Sequence, residues 1–81
     1  VQLLVAYASL SHAHRVRRLL YDRGRFVEMV RTPQQLAARG CGFGLHCSEA
    51  EMAAVRSASQ EARVEIRGVF RVLADGYEAL P

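Results

Sequence analysis

The sequence predicts an α+β domain in which four antiparallel strands carry two helices on one face. Three observations predict it. The chain opens with a run that is apolar on both faces, two later segments repeat apolar residues at helical spacing, and three further runs have strand character. Their order is β-α-β-β-α-β, and right-handed crossovers turn that order into the ferredoxin-like split βαβ arrangement.

Val1 to Tyr7 reads as the first strand, with Leu3, Val5 and Tyr7 on one face and Gln2, Leu4 and Ala6 on the other. Two largely apolar faces suit a central strand. Ser9 or Ser11 can cap the next element, whose stripe of Ala13, Val16, Leu19 and Leu20 leaves Arg15, Arg17, Arg18 and Asp22 outside it. Gly24 follows as a C-terminal stop.

Phe26 to Arg31 alternates as a second strand until Thr32-Pro33, and Thr32 can cap a short helical turn through Ala37. A third strand is expected from about Gly42 to Cys47. Ser48-Glu49-Ala50-Glu51 is a capping box for a second helix through Ala53, Ala54, Val55, Ala58 and Ala62. From Val64 to Val72, the residues Val64, Ile66, Gly68, Phe70 and Val72 share one face. Val69 is then expected on the open, helix-free side of the sheet, which is available to a partner or to a second copy of the chain. Residues 1–72 form the domain, and 73–81, with Asp75-Gly76 and Pro81, form a loosely held tail.

Eighty-one residues leave room for one small core. The chain is 51% hydrophobic and 23% charged, which argues for a globular domain against disorder. No run approaches the roughly 18–20 apolar residues of a membrane span, and no signal-peptide pattern opens the chain. Two cysteines cannot build a disulfide scaffold, so a reducing cytoplasm is expected. The net charge is +3, carried by eleven arginines and no lysine. An anionic partner would use them, but they scatter from Arg15 to Arg71, and the absence of Lys and Asn matches a GC-rich codon bias. Nucleic acid is not the expected partner.

The stretch Arg39-Gly40-Cys41-Gly42-Phe43-Gly44 is where chemistry would sit. Two glycines around Cys41 permit backbone N–H groups to converge on an anion, and Arg39 adds positive charge; both favour thiolate over thiol. The same residue types equally suit a small hydrophobe entering the sheet. Cys47 shares parity with Phe43 and Leu45 and belongs with the core. Six extended residues separate the cysteines by roughly 20 Å, beyond the reach of a disulfide.

His12, His14 and His46 lack metal-ligand spacing with either cysteine, so no metal is expected. No cofactor fingerprint occurs either. The stretch also approaches an RNA-binding signature, Arg/Lys-Gly-aromatic-Gly-Phe. With Gly42, Gly44 and His46 on the face that would have to fill the core, however, the strand is turned the wrong way for base stacking.

The chain resembles the short bacterial proteins of the selenium/sulfur carrier-like family from about Leu3 to Val72. The likeness is carried by Tyr7-Ala8-Ser9 closing the first strand, the paired Leu19-Leu20, the stop at Pro33, Cys41-Gly42 before an apolar strand, and Val64-Glu65-Ile66-Arg67-Gly68-Val69-Phe70. The resemblance implies a thiol that accepts sulfur or selenium as a persulfide or selenosulfide and hands it on. Only Cys41, with Gly42 beside it, inherits that role. Relatives often carry serines just before the Cys-Gly pair; Ala38-Arg39-Gly40 stand there instead, and Arg39 takes the part of an anion stabiliser. Donor and acceptor proteins would be the partners, with a homodimer through the open sheet face as a further option. The alternative reading is a non-catalytic protein-interaction module that uses the open sheet face, with RNA binding a distant third.

Overall fold

The computed structural model describes residues 2–33, 36 and 42–81. Its elements are β1 (Gln2–Tyr7), α1 (Leu10–Asp22), β2 (Glu28–Arg31), β3 (Phe43–Ser48), a 3-10 turn (Glu49–Glu51), α2 (Met52–Glu61), β4 (Gly68–Leu73) and β5 (Gly76–Ala79). The sheet runs β2-β3-β1-β4-β5, antiparallel throughout. The first four strands stand in the order that two right-handed crossovers dictate. None of the helices among the described residues is long and apolar enough to cross a membrane.

The sheet has five strands rather than the four expected. Gly76–Ala79, assigned from sequence to the tail, pairs with β4 from Leu73↔Gly76 to Phe70↔Ala79. Arg71 and Glu78 face each other across this pair at 2.6 Å. Beyond the strand, the Leu80 amide donates to the Val69 carbonyl at 2.8 Å and the Leu80 side chain packs on the core.

Ser9 caps α1, its hydroxyl accepting from the His12 amide at 3.3 Å. The helix closes in a Schellman turn: Gly24 takes a left-handed φ of 77°, its amide donates to Tyr21 and the Arg25 amide donates to Leu20. The Ser48–Glu51 box forms as expected, with the Ser48 amide donating to the Glu51 carboxylate at 2.8 Å. It opens the 3-10 turn, from which α2 continues. Leu36 donates to the Pro33 carbonyl, and the rest of the expected turn through Ala37 lies outside the described residues.

One face of the sheet and the inner stripes of both helices make the core. Leu3, Val5 and Tyr7 of β1 meet Ala13, Val16 and Leu20 of α1, Leu45 and Cys47 of β3, and Val55 and Ala58 of α2. Val69 belongs to this core and is 7% exposed, so the expected facing of β4 is inverted. The cause lies at the end of α2. Arg63 takes a left-handed φ of 59°, its amide donates to Gln60, and the Val64 amide donates to Ser59 in a second Schellman turn. Val64 is therefore the apolar seal of a helix end and not the start of a strand. Pairing begins only at Gly68, and the parity read from Val64 and Ile66 does not carry into β4.

Register places Leu4, Ala6, Val30, Gly44, His46, Gly68, Phe70 and Val72 on the opposite face, which no helix among the described residues covers. Yet Leu4 is fully buried there and Ala6 nearly so. Gly44 and Gly68 both oppose Ala6, forming a row of small residues across three strands. The Leu4 side chain lies against Gly44, and the Phe70 ring lies against Gly68. The open face thus largely closes on itself.

Candidate functional site

The chain end that leads to Cys41 is built by β2, β3 and the last residue of β1. Phe43 stands between Tyr7 on one side and Arg31 on the other. The ladder extends one step past β3, where the Thr32 amide donates to the Gly42 carbonyl at 3.1 Å. The Arg31 guanidinium lies 5.6 Å from the centre of the Phe43 ring, a cation–π distance.

Gly42 sits in a tight space. A Cβ at this position would meet the Tyr7 carbonyl oxygen at 3.1 Å and the Thr32 hydroxyl at 3.2 Å. Its φ is not in the left-handed region, so close approach, rather than the conformational freedom expected from the sequence, explains the residue. Cys41, Arg39 and Gly40 lie outside the described residues.

Thr32 is the site residue that sequence reading missed. It is 5% exposed, and its Oγ1 has no hydrogen-bond partner among the described residues. A buried hydroxyl without a partner is uncommon in folded proteins. The sequence offered this hydroxyl only as the cap of the turn through Ala37, and it makes no such hydrogen bond among the described residues. His12 Nδ1, in the first turn of α1, is likewise enclosed without a partner among the described residues. No acidic side chain occupies that turn.

Cys47 has the opposite environment from a reactive thiol. It is buried in the core as its parity predicts. Burial pushes its pKa up to about 11, and the Glu51 carboxylate adds to the rise. Tyr7 shares this interior. Its hydroxyl is hydrogen-bonded to Ser59 Oγ at 2.7 Å, and Ser59 Oγ also lies 2.8 Å from the Val55 carbonyl oxygen. Burial pushes the Tyr7 phenol up to about 12; the Ser59 bond opposes the rise and Cys47 adds to it.

Both groups bind their protons more tightly in the folded chain than at their ordinary values of 9.0 and 10.0. Their contribution to stability is complete below pH about 9 and is lost as pH climbs through 11 and 12. The thermal midpoint is therefore expected to fall steadily above pH 9. Tyr7→Phe should flatten that fall at its upper end and Cys47→Ala at its lower end. An alkaline melting series that keeps the wild-type slope in both variants would refute the assignment.

His46 points to the open face, where its Nδ1 is 3.3 Å from Glu28, while Cys47 points into the core. They cannot share a metal, as the strand alternation predicts. Among the described residues no three His, Cys, Asp or Glu side chains are grouped as ligands. The core role of Phe43 and Leu45 likewise leaves β3 turned away from base stacking.

The family model described as "Putative Se/S carrier protein-like" matches residues 2–71. The chain belongs to that family. The match runs from the first residue of β1 into β4 and includes the segment that holds Cys41 and Gly42. Comparison with curated proteins and with solved structures gives no match. In this Se/S carrier-like chain, α1, α2 and the first four strands supply the scaffold, and β5 falls beyond the matched residues.

Proposed function

We propose that this protein is a cytoplasmic carrier that relays sulfur or selenium on Cys41 between a donor and an acceptor protein. The observation that carries the reading is the family match over residues 2–71. The Cys41 thiolate attacks the outer sulfur of a donor persulfide. The donor's S–S bond breaks, a new S–S bond forms on Cys41, and the donor departs as a thiolate. The transfer is balanced without any oxidant, and selenium follows the same course as a selenosulfide. Handing on repeats the exchange with an acceptor thiolate.

Two features support Cys41 as the carrier atom. The other cysteine is sealed in the core with its thiol protonated at neutral pH. The neighbour Gly42 is held between Thr32 and Tyr7 next to the start of β3. Gly42 serves this reading as the close-packed anchor and Arg39 as the cation that favours the thiolate. Relay of this kind makes the protein a carrier for partner enzymes rather than a stand-alone catalyst.

Mass spectrometry after incubation with a cysteine desulfurase and free cysteine tests the proposal. The expected result is a gain of about 32 Da, one sulfur, that reverses with thiol reductant and maps to Cys41. It should vanish in Cys41→Ser and persist in Cys47→Ser. Sulfur on neither cysteine, or equally on both, would overturn the assignment.

A further inference from the structure

The most exposed large apolar side chains among the described residues are not on the open sheet face but at the end of α1. Phe26 is 71% exposed and Tyr21 60%. The Schellman turn at Gly24 folds the chain back so that the two rings meet edge to face, with centroids 5.2 Å apart and planes at 78°. Phe26 lies just before β2, outside the strand that its sequence pattern suggested. Neither ring belongs to the core.

Arginines neighbour the pair along the chain. Arg18 precedes Tyr21 by one turn on the same helix face and is exposed, as is its single ion-pair partner Asp22 at 3.6 Å. Arg17 folds back on the turn, its Nε donating to the Val27 carbonyl at 3.3 Å. Arg25, exposed between Gly24 and Phe26, forms no ion pair among the described residues. The segment that carries the two rings, residues 17–28, holds Arg17, Arg18, Arg23 and Arg25 against Asp22 and Glu28, a local excess of positive charge beside two uncovered aromatic side chains.

We infer that Tyr21, Phe26, Arg18 and Arg25 form a docking surface for an acidic protein segment that carries at least one aliphatic side chain. Aromatic residues and arginine are the types enriched at the centres of protein interfaces. The two rings already rest on each other, so a partner meets one joined apolar surface rather than two separate side chains. The local excess of positive charge selects a negatively charged segment and speeds encounter with it. A second copy of this chain fits poorly, because a two-fold contact would set arginine against arginine. Single-stranded nucleic acid also fits poorly: rings at 78° offer no common plane for successive bases. This surface is independent of the thiol chemistry.

Fluorescence anisotropy with a labelled synthetic peptide, leucine on one helical face and glutamate on the other, tests the inference. The full chain should bind it saturably, and rising salt should weaken the complex. Phe26→Ser, and separately Arg18→Glu with Arg25→Glu, should each weaken binding about tenfold or more while the thermal midpoint stays near wild type. Cys41→Ser should leave binding unchanged, which separates this result from the fate of the carrier reading. Four outcomes would overturn the surface: no saturable binding, binding indifferent to both substitutions, tighter binding of an oligouridylate, or a dimer that Phe26→Ser dissolves.

Discussion

Iodoacetamide at neutral pH is expected to alkylate Cys41 about a hundredfold faster than Cys47, or more. The reasoning starts from the slow partner. With its pKa pushed up to about 11, Cys47 is ionised at pH 7 in only about one molecule in ten thousand. An ordinary exposed thiol is ionised to a few per cent. Cys47 is in addition only 2% exposed, so the reagent reaches it only through local opening. Following each cysteine by peptide mapping across pH 6–10 gives both rates in one experiment. The Cys47 rate should stay low until the pH approaches 11, and Arg39→Ala should slow Cys41. Equal rates, or a faster Cys47, would remove the physical basis for a relay on Cys41.

The sequence was most legible where a single periodicity governed a whole element. In β1 the alternation of Leu3, Val5 and Tyr7 named one wall of the core, and in α1 the spacing of Ala13, Val16 and Leu20 named the residues that meet it. The burial of Cys47 followed from the parity of β3 alone. Reading failed where two elements share one apolar residue. Val64 seals the end of α2, yet its spacing from Ile66 and Gly68 imitates a strand, and the imitation inverted the facing of β4.

The fifth strand was missed for a different reason. Its hairpin loop is Ala74-Asp75, closed by Leu73↔Gly76, so the Asp75-Gly76 pair straddles the loop boundary instead of forming the turn. Four residues of weak alternation then gave no further signal. At the candidate site, Cys41 stood out by its chemistry, while Thr32 could not: its significance lies in being enclosed beside Gly42, a relation that only the pairing of β2 with β3 creates.

The largest loss of stability from a small substitution is expected at Gly44, where one methyl group should cost about 2–3 kcal/mol and lower the melting point by roughly 10–20 °C. A Cβ there would sit 2.7 Å from the Val5 carbonyl oxygen and 2.9 Å from Leu4 Cδ1. The first contact is with the backbone of the central strand, which is paired on both sides and cannot retreat without opening a ladder. The second is with a side chain that has no exposed surface to move into. Gly68→Ala is the matched comparison, since Gly68 opposes the same residue, Ala6, from the other neighbouring strand. Its added methyl would meet only the edge of the Phe70 ring at 3.0 Å, and that ring can swing toward solvent. Gly68→Ala should therefore cost much less than Gly44→Ala when both are melted side by side. If the two variants melt together, the packing of Leu4 and Phe70 over the Gly44–Ala6–Gly68 row is not what closes the helix-free face.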